Sequence, residues 1–169
     1  MADRGPNLTA MTTDDRQVQV LFEAAKAVQA NAYAPYSHFH VGAAIRTTSG
    51  AVFTGANMEN AAYPQGICAE GGALSAMVSA GEREIAEVLV IGPDDGLTTP
   101  CGGCRQKIRE FAQLDTPIHV AGPEGVRRSF TMDELLPVSF GPEHLLRPAP
   151  LDDPGPGQDD ALDADADGG

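Results

Sequence analysis

The chain has 169 residues, enough for one buried core and short for two. Its formal net charge of −13, from 24 acidic against 11 basic residues, argues against DNA or RNA as partner, because phosphate backbones are bound by lysines and arginines that displace counterions. Three cysteines make an odd count unsuited to a disulfide framework, no apolar run approaches the ~18 residues of a membrane span, and no secretory pattern opens the chain, so a reduced, cytoplasmic setting without a membrane anchor is expected.

Residues 1–13 lack apolar periodicity and include Gly5 and Pro6, which reads as a flexible leader before a folded domain at 14–146. Val18, Leu21, Phe22, Ala25 and Val28 recur at helical spacing, and Asp14 with Gln17 resembles a capping box, so 15 to about 32 reads as an amphipathic helix. Residues 39–45 and 51–57 are short and β-prone, and the Thr48-Ser49-Gly50 turn between them predicts an antiparallel hairpin. A second helix is predicted from near Cys68 to a stop at Gly81. Val88, Leu89, Val90 and Ile91 form an unbroken apolar run, suited to a central strand covered on both faces.

A third helix is predicted from Cys101 to near Phe111, followed by a fourth strand at 117–121 and a fifth at 126–131. The four residues between these last strands cannot make a parallel crossover, so they should pair antiparallel, whereas the strand and helix alternation before them implies a parallel pair. A helical turn at 133–136 closes at Pro137. The expected fold is α/β, a three-layer α/β/α sandwich on a mixed five-stranded sheet. Residues 147–169, with seven aspartates between Asp152 and Asp167, read as a disordered acidic tail.

All three cysteines lie in two motifs, Cys68-Ala69-Glu70 and Pro100-Cys101-Gly102-Gly103-Cys104. Three thiolates at helix starts can bind one tetrahedral Zn²⁺ and leave its fourth position open, as catalytic zinc requires. Glu70, two residues from the first candidate ligand, is placed to handle the protons of a zinc-activated water without ligating the metal. A redox pair would not explain the third cysteine with its nearby glutamate, and a zinc ribbon needs a fourth ligand, whereas the chain has no second Cys-x-x-Cys. The pattern resembles the signature of zinc deaminases, a cysteine or histidine, any residue, glutamate, then Pro-Cys-x-x-Cys.

Further segments match beyond the zinc motif: 34–44, running Ala34-Pro35-Tyr36-Ser37-His38-Phe39-His40-Val41-Gly42-Ala43-Ala44; Gly55-Ala56-Asn57-Met58-Glu59-Asn60-Ala61; Tyr63-Pro64; Arg105-Gln106 after Cys104; and Leu136-Pro137-Val138-Ser139-Phe140-Gly141-Pro142-Glu143. On these residues the chain, from Asn31 to Leu145, resembles the homotetrameric cytidine deaminases of pyrimidine salvage. The resemblance implies zinc-dependent hydrolysis of cytidine and 2′-deoxycytidine, with release of ammonia, and one Zn²⁺ per subunit on Cys68, Cys101 and Cys104. Glu70 would carry a proton to N3 of the ring while hydroxide attacks C4. Asn57 and Glu59 would bind the ribose hydroxyls, Phe39 would pack on the pyrimidine, Tyr63 would lie near the sugar, and backbone groups of Ala69 and Pro100 would meet the amide edge of the base. Phe140 would reach from one subunit into the base pocket of another, so that active sites are shared between subunits. Residues two apart on a strand face one side, which agrees with a joint role for Asn57 and Glu59.

His38 and His40 fit surface or interface positions better than a metal site, and His119 and His144 carry no pattern. Many of these enzymes have an arginine directly after the catalytic glutamate, where this chain has Gly71 and then Gly72. Three thiolates leave zinc with a net charge of about −1, which a nearby cation would offset; helix N-termini and Arg105 are the expected substitutes. Two other readings share the motifs: a deaminase of a cytosine-containing antibiotic or other modified nucleoside, and a zinc-bearing binding protein without turnover. The intact Glu70 argues against the second.

Overall fold

The computed structural model describes residues 12–93 and 96–145; the acidic stretch at 147–169 and all of the leader except Thr12 and Thr13 lie outside them. Helix α1, Thr13–Gln29, opens two residues before the predicted start. Its cap is Thr12, whose side chain accepts from Asp15 N–H while the Asp15 carboxylate accepts from Thr12 N–H, so the capping box is Thr12/Asp15 and not Asp14/Gln17.

Strands β1, Gly42–Thr47, and β2, Val52–Ala56, form the expected antiparallel hairpin, but β1 begins three residues later than predicted. The N–H groups of Phe39 and Val41 are taken by side chains, Ser37 Oγ and Asn57 Oδ1, and not by a neighbouring strand, so the ladder starts only at Gly42. Helix α2, Ala69–Ser79, ends before Gly81, whose φ of +90° is the left-handed stop that glycine adopts without penalty. Then come β3, Ile85–Ile91; α3, Gly102–Arg109; β4, Pro117–Gly122; β5, Gly125–Thr131; and the single turn α4, Met132–Leu135.

The sheet order is β2-β1-β3-β4-β5. β3 and β4 are parallel and every other pair is antiparallel, so the sheet is mixed, with β3 at its centre. Alternation along the strands divides the core into two layers. Ala44, Leu89, Ile91 and Ala121 meet Leu21, Phe22 and Ala25 of α1 on one face. Ala43, Ile45, Val88, Val90 and Ile118 meet Ala69, Ala73, Met77 and Ile108 of α2 and α3 on the other. This is the three-layer sandwich, and α2 and α3 lie side by side on the face that carries the cysteines.

A transverse polar ladder crosses the α1 face. Arg46 on β1 pairs with Glu87 on β3 at 2.5 Å, Glu87 meets His119 Nε2 on β4 at 3.1 Å, and His119 Nδ1 meets Ser129 Oγ on β5 at 2.7 Å. Glu87 and His119 are buried, so each depends on these partners.

Candidate active site

Cys68 is the N-cap residue of α2 and Cys101 that of α3, and neither side chain caps its own helix. The thiols point instead toward each other, 3.8 Å apart, and with Cys104 the three sulfur atoms lie within 4.8 Å of one another. Tetrahedral zinc with Zn–S bonds of about 2.3 Å requires sulfurs about 3.8 Å apart, which the Cys68–Cys101 pair meets, and three thiolates are donors that zinc accepts. Two helix N-termini converge on the cluster, and their partial positive charge favours thiolates. Hydrogen bonding, chiefly with Cys104, holds the Cys68 thiol down at about 6, while the same interaction and burial push Cys104 up.

Glu70 follows in the first turn of α2 and is only 4% exposed. Burial pushes its carboxyl above the usual range, and the charge of Cys68 adds to this. Glu70 lines a cavity of about 240 Å³ with Phe39, Asn57, Cys68, Ala69 and Cys101. A second cavity of about 300 Å³, containing Tyr36, Glu59 and Tyr63, adjoins the first through Asn57 and Cys68. The structure therefore gathers Phe39, Asn57, Glu59, Tyr63 and Ala69 around the cysteines and Glu70. It does not bring Phe140 into this chain's own cavity: the ring is 56% exposed and stacks on His144, with centroids 4.9 Å apart.

Asn57 and Glu59 lie beyond the end of β2, and both side chains turn back onto the 36–41 segment. The Glu59 carboxylate accepts from Tyr36 N–H at 2.8 Å and from the Ser37 hydroxyl, which, with burial opposing, holds its carboxyl below the usual range. Asn57 Nδ2 donates to Phe39 O and Asn57 Oδ1 accepts from Val41 N–H, both at 2.8 Å. Each keeps spare capacity, one amide proton on Asn57 and unused lone pairs on Glu59.

Arg105 does not take the part expected of it. Its guanidinium donates to Pro100 O at 2.7 Å, Leu135 O at 2.8 Å and Thr99 Oγ1 at 3.0 Å, and so buckles the loop before Cys101 to the end of α4. The side-chain cation whose charge bears on both Cys68 and Glu70 is Lys107, which lowers each by a minor amount and lines a cavity with Gly71 between α2 and α3. Pro100 does not line either cavity, although its neighbours Thr99 and Cys101 line the inner one, and its carbonyl accepts from Arg105.

Thr98, Thr99, Val41 and Val90 also line the inner cavity and were not read from the sequence. The threonines directly before Pro100 were the available signal for two of them; Val41 and Val90 look like ordinary strand residues. Among the described residues, neither His38 nor His40 joins a group that could hold a metal ion.

Residues 15–119 match the family model for the cytidine and deoxycytidylate deaminase zinc-binding region. The chain belongs to this family. A cytidine deaminase from Halalkalibacterium halodurans is 38% identical over 75% of this chain and 96% of its own length. One from Sporosarcina psychrophila is 38% identical over 76% of this chain and 94% of its own. The crystal structure of cytidine deaminase from Burkholderia pseudomallei superposes with a TM-score of 0.69 at 41% identity, covering 77% of this chain and all of that one. That from Mycobacterium tuberculosis gives 0.63 at 34% identity, covering 73% and 96%. Zinc is thus the metal of the family region to which the three-sulfur cluster belongs.

Proposed function

We propose that this chain is a zinc-dependent hydrolase that converts cytidine and 2′-deoxycytidine to uridine and 2′-deoxyuridine, releasing ammonia. The observation that carries the reading is the buried Glu70, which lines one cavity with Phe39 and with Cys68 and Cys101 of the three-sulfur cluster. Cys68, Cys101 and Cys104 would hold Zn²⁺, which as a Lewis acid makes water a competent nucleophile at neutral pH.

The chain's own groups then supply positioning and proton transfer. Glu70, desolvated and held close to where C4 of the base would lie, takes the proton of the attacking water and gives it to N3. It then takes the remaining proton of the hydroxyl now bonded to C4 and gives it to the 4-amino group, which leaves as ammonia as the C4–N bond breaks. Phe39 packs on the pyrimidine ring, backbone groups of Ala69 and Pro100 meet the amide edge, and Asn57 and Glu59 offer their spare donor and lone pairs to the ribose hydroxyls, with Tyr63 beside the sugar.

A second copy of the chain is the natural cover for this mouth. Tyr36, Met58, Tyr63 and Ile67 line it and are each more than 40% exposed, and Phe140 stands in a segment where Val138, fully exposed, takes φ +53°. β-branched residues rarely adopt that conformation unless the surroundings hold them in it. A homotetramer with Phe140 entering a neighbour's base pocket agrees with these features. Among the described residues no helix is long and apolar enough to cross a membrane, and the free thiols suit a reducing cytoplasm, where a nucleoside product would enter pyrimidine salvage.

The test is ammonia release from cytidine, with zinc content measured on the same sample and Glu70→Gln beside it. The expected result is turnover with about one zinc per chain, and a loss of ~10²–10⁴ in kcat for E70Q with zinc retained. Full zinc without ammonia release from cytidine would overturn cytidine as substrate.

A further inference from the structure

Phe39 stands on an exposed, irregular segment, yet its backbone is tied at both ends. Its carbonyl accepts from Asn57 Nδ2 at 2.8 Å, and its N–H donates to Ser37 Oγ at 3.0 Å. The Ser37 hydroxyl in turn donates to Glu59 Oε1, while Glu59 Oε2 accepts the N–H groups of Tyr36 at 2.8 Å and Ser37 at 3.3 Å. A serine oxygen has one proton to give and two lone pairs with which to accept, so both bonds form at once. His38, at φ +58°, makes the turn between Ser37 and Phe39 that allows this closure.

We propose that Ser37 is a positioning residue whose single oxygen fixes the Glu59 carboxylate and the Phe39 backbone, from which the ring projects, relative to each other. The proposal rests on the reading above, in which Glu59 meets the sugar and Phe39 the base. The two recognition elements of a nucleoside come from segments about twenty residues apart, and a loop ordered in advance loses less entropy when ligand binds. The Ser37 link supplies that order, because the bond to an ionised carboxylate is stronger than one between neutral groups. The hydroxyl touches neither the cysteines nor Glu70 in the structure, so its contribution belongs to binding and not to proton transfer.

The experiment compares the full chain with Ser37→Ala and Ser37→Thr by amide hydrogen exchange at Phe39 and by steady-state deamination of cytidine. Ser37 is exposed, so neither variant alters the core. The expected result for S37A is about tenfold faster Phe39 exchange and about tenfold higher KM, with kcat within about twofold. S37T, which keeps the oxygen, should restore both. Parental exchange in S37A, faster exchange with KM unchanged, or failure of S37T to rescue would each overturn the relay. Should the parent itself release no ammonia from cytidine, the deaminase reading fails separately, and Phe39 exchange in S37A and S37T alone decides whether Ser37 holds the Phe39 backbone.

Discussion

A Cβ placed on Gly55 would fall 2.3 Å from the carbonyl oxygen of Ala69 and 2.4 Å from Ala73 N, so β2 and the first turns of α2 meet backbone to backbone. That contact sets how closely the helix carrying Cys68 and Glu70 approaches the sheet, and it leaves no flexible side chain to yield. Gly55→Ala should therefore push α2 outward, destabilise the fold by about 1–3 kcal/mol and lower zinc occupancy. Denaturant unfolding and metal analysis of the purified variant check both effects; unchanged stability and zinc would show that α2 is free to shift.

Cys104 is the buried member of the sulfur cluster. Cys104→Ala removes one of three ligands, and the expected outcome is zinc content below about a tenth per chain and loss of ammonia release. Metal bound between α2 and α3 also stabilises their packing, so chelation of the parent should lower Tm and added Zn²⁺ should restore it, measured by calorimetry with and without chelator.

Arg105 should matter through the loop and not through the metal. Arg105→Gln loses bonds to Pro100 O and Leu135 O, for an expected cost of about 2–3 kcal/mol and a raised KM for cytidine, with zinc held at parental content. Metal analysis separates this from a charge-compensating role, which predicts zinc loss.

Glu87 gives the fold a pH dependence of definite sign. Burial pushes its carboxyl up, but hydrogen bonds from His119 and Arg46 outweigh burial and hold it below its ordinary value of 4.5. A carboxyl depressed in the folded state adds stability that is complete above its unfolded pKa and is lost as pH falls through the folded value. Glu87→Gln should cost about 2 kcal/mol at pH 7, with the difference from the parent shrinking below about pH 4.5. Urea unfolding of both proteins at pH 7 and in the acid range measures it.

What the sequence by itself determined is the chemistry whose signal is local. Cys68 with Glu70, and Cys101 with Cys104, are spaced within single helical turns, so their grouping follows from helix geometry and the affinity of thiolates for zinc. The order of the elements, the hairpin and the central strand were legible for the same reason, because hydrophobic period and turn residues act over a few positions. The α1 cap was misplaced by two residues because several polar residues near Asp14 satisfy the same short pattern. Only the tertiary structure decided that Cys68 and Cys101 stand 3.8 Å apart, that Asn57 and Glu59 turn back to hold the Phe39 segment, and that Arg105 faces loop carbonyls instead of sulfur. Those partners are separated along the chain by up to 33 residues, and their meeting depends on how α2 and α3 pack on the sheet, a sum of many side-chain contacts that no short spacing encodes.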